Sequence, residues 1–175
     1  MLRKAFALVI LIACARAGAT TLVPLDLKAL ATRADRVVLG TVEKVESRWT
    51  DDHDAIYTDV SIRVARVYKG ALKPGDLLMV RREGGSVGGI GMRVYGAANF
   101  QAGEEVVVFV EQRGAAAWAV GMGQGKLRVT TLPTGEKRVA PTMSDAHFTS
   151  AAAPMQPRAL DDFERELRSY VRSGK

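Results

Sequence analysis

The chain has 175 residues, 25 lysines and arginines against 19 acidic residues, a formal net charge of +6, two histidines and a single cysteine. That size suits one domain, and a lone cysteine excludes an intrachain disulfide, so packing must hold the fold together. No segment, the N-terminal apolar run included, approaches the roughly 20 apolar residues of a membrane-spanning helix.

The first element is a leader. In "MLRKAFALVILIACARAGATTL", Arg3 and Lys4 precede an unbroken apolar run from Ala5 to Ala13 and then small residues. This pattern predicts a secretory signal peptide over residues 1–19 and a periplasmic or secreted protein. Ala17-Gly18-Ala19 fits the small-x-small rule and would leave Thr20 first, and Ala15-Arg16-Ala17 fits it too. Leu11-Ile12-Ala13-Cys14 also resembles a lipobox, which would acylate Cys14 and anchor the protein at the outer membrane. Cleavage after Ala19 is favoured, because a lipobox ordinarily ends the apolar region and here a conventional site follows it. Arg3, Lys4 and Arg16 carry three of the net charges, which leaves +3 on the mature form. An exported chain of that charge, without a concentrated basic stripe, is not expected to bind nucleic acid.

The mature chain reads as strands between two helices. "LDLKALATRAD" predicts a short helix capped by Asp26 and ending near Asp35. "RVVLGTVEKVESRW" is β-branched and interrupted by Gly40, where a coiled strand can bend. "IYTDVSIRV" alternates most clearly: Ile56, Val60, Ile62 and Val64 share one face, and Tyr57, Asp59, Ser61 and Arg63 share the other. "LKPGD" supplies a turn before the strand "LLMVRRE", and "QAGEEVVVFVEQ" supplies a turn at Gly103 before a central strand from Val106 to Val110. Short strands continue through "AWAVGMGQGKLRVTTL" and "EKRVA". Residues 20–140 are therefore expected to form a barrel domain, 141–157 a surface loop, and 158–173 a helix. In that last segment Leu160, Phe163, Leu167 and Val171 form one apolar stripe, suited to packing on the barrel.

Three motifs invite a reading as chemistry. Gly84-Gly85-Ser86-Val87-Gly88 matches the G-x-S-x-G of a serine-hydrolase elbow, and Asp145 and His147 follow in the order a triad would need. An elbow requires a helix after the serine, however, and Gly88, Gly89 and Gly91 oppose one, so a turn is the expected structure. "GMGQGK", Gly121 to Lys126, lacks the spacing of a phosphate-binding loop, and no cofactor is expected. "DDHD", Asp51 to Asp54 with His53, lacks the EF-hand spacing and is expected to be a solvated hairpin loop, with no metal.

The order of "ADRVVLGTV", "IRVARVYKG", a Pro-Gly turn, "LLMVRR" and "FQAGEEVVVFVE" resembles that of netrin-like modules and tissue inhibitors of metalloproteinases. More closely, the chain is similar to small exported bacterial proteins of unassigned function that share "GEEVVVF…GMGQGK". The resemblance covers about Leu25 to Val129 and implies a mainly β fold, an OB-like small barrel with a short N-terminal helix and a C-terminal amphipathic helix. The inhibitors chelate the protease zinc through a disulfide-held N-terminal cysteine, which a chain beginning at Thr20 lacks, so inhibition by that route is not implied.

Barrels of this type bind ligands on the exterior of the second and third strands and through adjoining loops. That face is expected to carry Tyr57, Arg63 and Arg81, with Arg48 and Trp49 in a neighbouring loop. Aromatics beside cations can stack sugars or grip a peptide. The reading is thus a non-enzymatic binding module for an extracytoplasmic protein, peptide or glycan. The alternatives are an inhibitor-like protein acting through a loop such as Thr50 to Asp54 and, behind it, a serine hydrolase using Ser86.

Overall fold

The computed structural model describes residues 21–143, 147–148 and 155–173. The expected signal peptide, Cys14, Thr20, Asp145 and most of the 141–157 segment lie outside the described residues.

Asp26 caps the first helix, α1 (Leu27–Arg33), by accepting a 2.7 Å hydrogen bond from the Ala29 amide at Oδ1. Two long strands follow, β2 (Arg36–Trp49) and β3 (Ile56–Lys69), after a two-residue β1 (Thr21–Leu22) that precedes the helix. Next come β4 (Leu77–Glu83), a small hairpin of β5 (Gly85–Val87) and β6 (Ile90–Met92), and β7 (Glu105–Arg113). The rest are β8 (Ala116–Ala119), β9 (Lys126–Thr131), β10 (Lys137–Pro141), β11 (His147–Phe148), β12 (Arg158–Ala159) and the final helix α2 (Leu160–Ser173). The fold is mainly β with a helix near each end, as expected. The last helix begins at Leu160 rather than 158 because Arg158 and Ala159 pair with β10 first. No helix among the described residues is long and apolar enough to cross a membrane.

The main sheet runs β12-β10-β9-β7-β2-β3-β4-β8, and β8 also pairs with β7. Five strands, β2, β3, β4, β8 and β7, therefore close into an OB-like ring. Closure is only partial: β4 and β8 meet through one parallel pair, Arg81 opposite Trp118. Bulges between Val37 and Val38, Leu39 and Gly40, and Val42 and Lys44 let β2 coil far enough to pair with both β3 and β7.

Strand alternation divides the apolar residues between two cores. Val38, Val42, Val60, Ile62, Leu78, Val80, Val106, Val108 and Val110 fill the ring. Val37, Leu39, Val107 and Phe109 point outward on the other side of β2 and β7 and pack against Leu27 and Leu30 of α1 and Leu160, Phe163 and Leu167 of α2. This is why β7 reads as a continuous apolar run: both of its faces are buried. The helices cover that side of the barrel and, through Arg66 and Tyr68, the end of β3, which leaves the outward residues Tyr57 to Arg63 of β3 and Arg81 of β4 on the uncovered side.

Candidate functional site

The outward series of β3 is Tyr57, Asp59, Ser61 and Arg63, and register sets it against Arg48 and Glu46 of β2 and Arg81 of β4. Arg81 grips Asp59 with both arms of its fork, Nε to Oδ1 at 2.7 Å and Nη2 to Oδ2 at 3.2 Å. Those bonds push the Arg81 guanidinium above its ordinary value. Arg48 Nη2 reaches the same carboxylate at 2.7 Å. Two cations thus share one anion, and Arg48, with 60% of its side chain exposed, carries the uncompensated charge toward solvent. The Tyr57 ring lies 5.8 Å from the Arg81 guanidinium and meets Trp118 edge to face at 5.6 Å. The seam that closes the barrel is therefore also where the aromatics and cations collect.

Beside this array a depression of about 400 Å3 lies between Arg48, Trp49, Tyr57, Arg81 and the Thr50–Asp52 turn. Trp49 and Arg48 are the last residues of β2 rather than part of a loop, which fixes their direction more firmly than a loop would. The Trp49 ring stacks on His53 at 6.2 Å. The turn beyond it is tied across its base: the Thr50 amide donates to the Ala55 carbonyl at 2.8 Å and the His53 amide to the Thr50 carbonyl at 3.0 Å. Asp51 to Asp54 are exposed, and among the described residues no group of three or more His, Cys, Asp and Glu converges as a metal site.

Not every expected residue joins this cluster. Arg63 shares the face, but six residues separate it from Tyr57, about 20 Å along a strand. Its guanidinium is engaged by Glu43 at 2.8 and 3.0 Å and by the Gly75 carbonyl at 2.8 Å. Asp59 and Trp118 are members that the sequence reading passed over. Asp59 was legible as the acidic residue between two outward positions, whereas Trp118 joins only because β8 returns against β4.

Ser86 is exposed in β5, directly opposite Gly91 of β6. Gly88 and Gly89, at φ 58° and 83°, make the two-residue turn with positive φ at both central positions that joins tightly paired strands. The segment after Ser86 is thus a hairpin, and the strand-turn-helix of a nucleophile elbow is not built there. His147 lies in β11. Gly121 to Gly125 lie in the connection between β8 and β9, with Lys126 opening β9, and there the Gly123 amide donates to the Gly96 carbonyl at 2.7 Å and the Gly125 carbonyl accepts from Phe109 at 2.8 Å.

On the inner side of the same strand ends lies a second feature. β4 alternates, so Leu78 and Val80 point into the ring and Arg82 continues their series. Register places Arg82 opposite Thr58, and Thr58 opposite Ser47. The ring interior thus ends in a polar row across three neighbouring strands. The hydroxyls of Ser47 and Thr58 are 2.9 Å apart, and Thr58 donates to the Gly84 carbonyl at 2.6 Å. Above this row the β5–β6 hairpin and the segment 93–99 enclose a groove of about 730 Å3.

Comparison of the chain with protein-family models and with curated proteins finds no match.

Proposed function

We propose that this chain is an exported, non-enzymatic binding module whose outer barrel face receives a glycan or a protein segment at Arg48, Trp49, Tyr57 and Arg81. The observation that carries the reading is the ordered array of Arg48, Asp59, Arg81, Tyr57 and Trp118 beside an open depression. Its side chains are held by strands and by one another, so a ligand would order little on docking. Bidentate polar groups beside an aromatic face suit the hydroxyls and ring faces of a sugar, or the backbone and side chains of an extended peptide. The partly closed five-strand ring supports the likeness to netrin-like modules, and the apolar run at Ala5 to Ala13 supports export.

A panel of immobilised glycans and peptides tests the proposal. Wild-type protein should bind a member, and Tyr57→Ala and Arg81→Ala should each weaken that binding at least tenfold. Arg63→Ala should leave it within about twofold, since Arg63 sits away from the cluster. Equal loss with all three variants, or with none, would remove the outer face from consideration.

One observation favours the inhibitor reading as a second possibility. The Thr50–Ala55 turn is exposed at its tip and cross-tied at its base, which is how a segment inserted into a protease cleft is kept rigid. Inhibition of a co-secreted protease, abolished by replacing Asp51 to Asp54 with glycines but not by Tyr57→Ala, would establish it over the binding face.

A further inference from the structure

Arg82 is the unusual residue of the barrel mouth. Its neighbours in the inward series are Leu78 and Val80, both almost fully buried in the ring core. A cation in that series has to be held against an apolar interior, and such cations are ordinarily paired with an acid. Arg81, next in sequence and on the opposite face, has Asp59. Arg82 has no carboxylate partner among the described residues. Nη1 donates to the Glu83 carbonyl at 3.2 Å, and the buried Nε finds no hydrogen-bond partner among them. Burial pushes its guanidinium below its ordinary value, though arginine stays charged.

The surroundings match an anion better than they match a structural role for the cation. Ser47, Ser86 and Thr142 bring hydroxyls to the groove, while Met92, Val94 and Met143 bring apolar surface. Gly85 lets the chain pass close over the floor, where a Cβ would stand 2.3 Å from the Ser47 hydroxyl and 2.4 Å from that of Thr58. Ile90, 58% exposed on the hairpin, and Met92, 38% exposed, extend the apolar surface outward. Arg93 lines the groove as well, so the groove sets two guanidiniums, of which Arg82 is the one in the inward series of β4, beside an apolar wall.

We propose that this groove binds a small organic anion, a single carboxylate on a short apolar body, with Arg82 as the group that grips the carboxylate. The planar fork of a guanidinium matches two carboxylate oxygens. The Ser86 hydroxyl is placed to add a neutral donor, and the methionines adapt to the body of the ligand. This site is separate from the outer face: adjacent residues on one strand point to opposite sides of the sheet, so Arg81 serves one site and Arg82 the other.

Titration calorimetry on the full mature chain tests it with four probes: octanoate, octanamide, an apolar tripeptide with a free C-terminus, and inorganic phosphate. Binding is expected for octanoate or for the tripeptide, and which of them binds tighter tells a free acid from a peptide end. The neutral amide should bind at least tenfold more weakly than its acid. Arg82→Gln should weaken the carboxylate at least tenfold without lowering the unfolding midpoint, Arg82→Lys should fall between, and Lys44→Gln, the same loss of charge on the barrel exterior, should change nothing. Ser86→Trp, which narrows the groove without touching the guanidinium, should also weaken binding. Equal affinity for acid and amide, tighter binding of phosphate than of either carboxylate, indifference to Arg82→Gln, or no binding of any probe at millimolar concentration would each overturn the proposal.

Discussion

Glu164 ties the C-terminal helix to the barrel through a single carboxylate. Arg66 and Tyr68 of β3 each donate to it at 2.6 Å, and Arg168 of its own helix donates at 3.2 Å. Burial pushes this carboxyl up, but the donated bonds outweigh it and hold it below its ordinary 4.5. Because the folded value lies below the unfolded one, the stabilisation is complete above about pH 4.5 and is lost as pH falls below it. Glu164→Gln should therefore cost about 2 kcal/mol at neutral pH, and urea unfolding of the variant should be less sensitive to acid than that of wild type. A second carboxylate, Glu104, accepts from Lys126 at 2.5 Å and from Arg128 at 2.6 Å, with the Lys126 side chain fully buried. Burial pushes the Lys126 ammonium below its ordinary value, which makes its pairing matter more. Glu104→Gln should cost about 3 kcal/mol because it strands that ammonium. Lys126→Met should cost less, since Arg128 still neutralises Glu104, and chemical denaturation of the two variants side by side checks the order. Neither cluster could be read in full from the sequence: the i,i+4 pair of Glu164 and Arg168 follows helix spacing, but Arg66 and Tyr68 reach Glu164, and Lys126 and Arg128 reach Glu104, from 22 or more positions away.

The elements themselves were far more legible. Periodicity placed β4, β7 and the start of β3 closely, since period-two alternation and an apolar run are both direct consequences of which faces are buried, while β3 runs five residues past its alternating stretch to Lys69. Gly40 was readable as a bend, and the structure gives the reason: a Cβ there would stand 2.4 Å from the Arg63 carbonyl and 2.7 Å from the Ile62 side chain. Gly40→Ala should thus force β3 away from β2 and cost about 1–3 kcal/mol, measurable as a lowered urea midpoint. The amphipathic stripe of α2 was equally plain. Phe163, fully buried, meets Phe109 edge to face at 6.4 Å, so Phe163→Ala should cost about 3–5 kcal/mol. What the sequence reading lacked were the two-residue strands β1, β11 and β12, because two residues carry no periodicity, and the hairpin geometry of Gly84 to Met92, where composition showed a turn but not its partner strands.

At the scale of the molecule, one arrangement organises everything described. Helices cover the outward side of β2 and β7 and the end of β3, which leaves the Tyr57 to Arg63 stretch of β3, the face of β4 beside it and the mouth of the ring accessible. Fold class was accessible from sequence because it follows from the sum of local patterns. The candidate sites were accessible only in part: Tyr57 and Arg81 meet as alternation suggested, Arg63 does not, and Trp118 arrives from the closing strand. The most direct measurement of the binding-module reading is amide and indole chemical-shift mapping of the chain, titrated with the tightest member of the glycan and peptide panel. The largest shifts should fall at Arg48, Trp49, Tyr57, Arg81 and the Trp118 indole, and Tyr57→Ala should abolish them at equal ligand concentration. Shifts concentrated on the helix-covered side, or a map unchanged by Tyr57→Ala, would contradict the account.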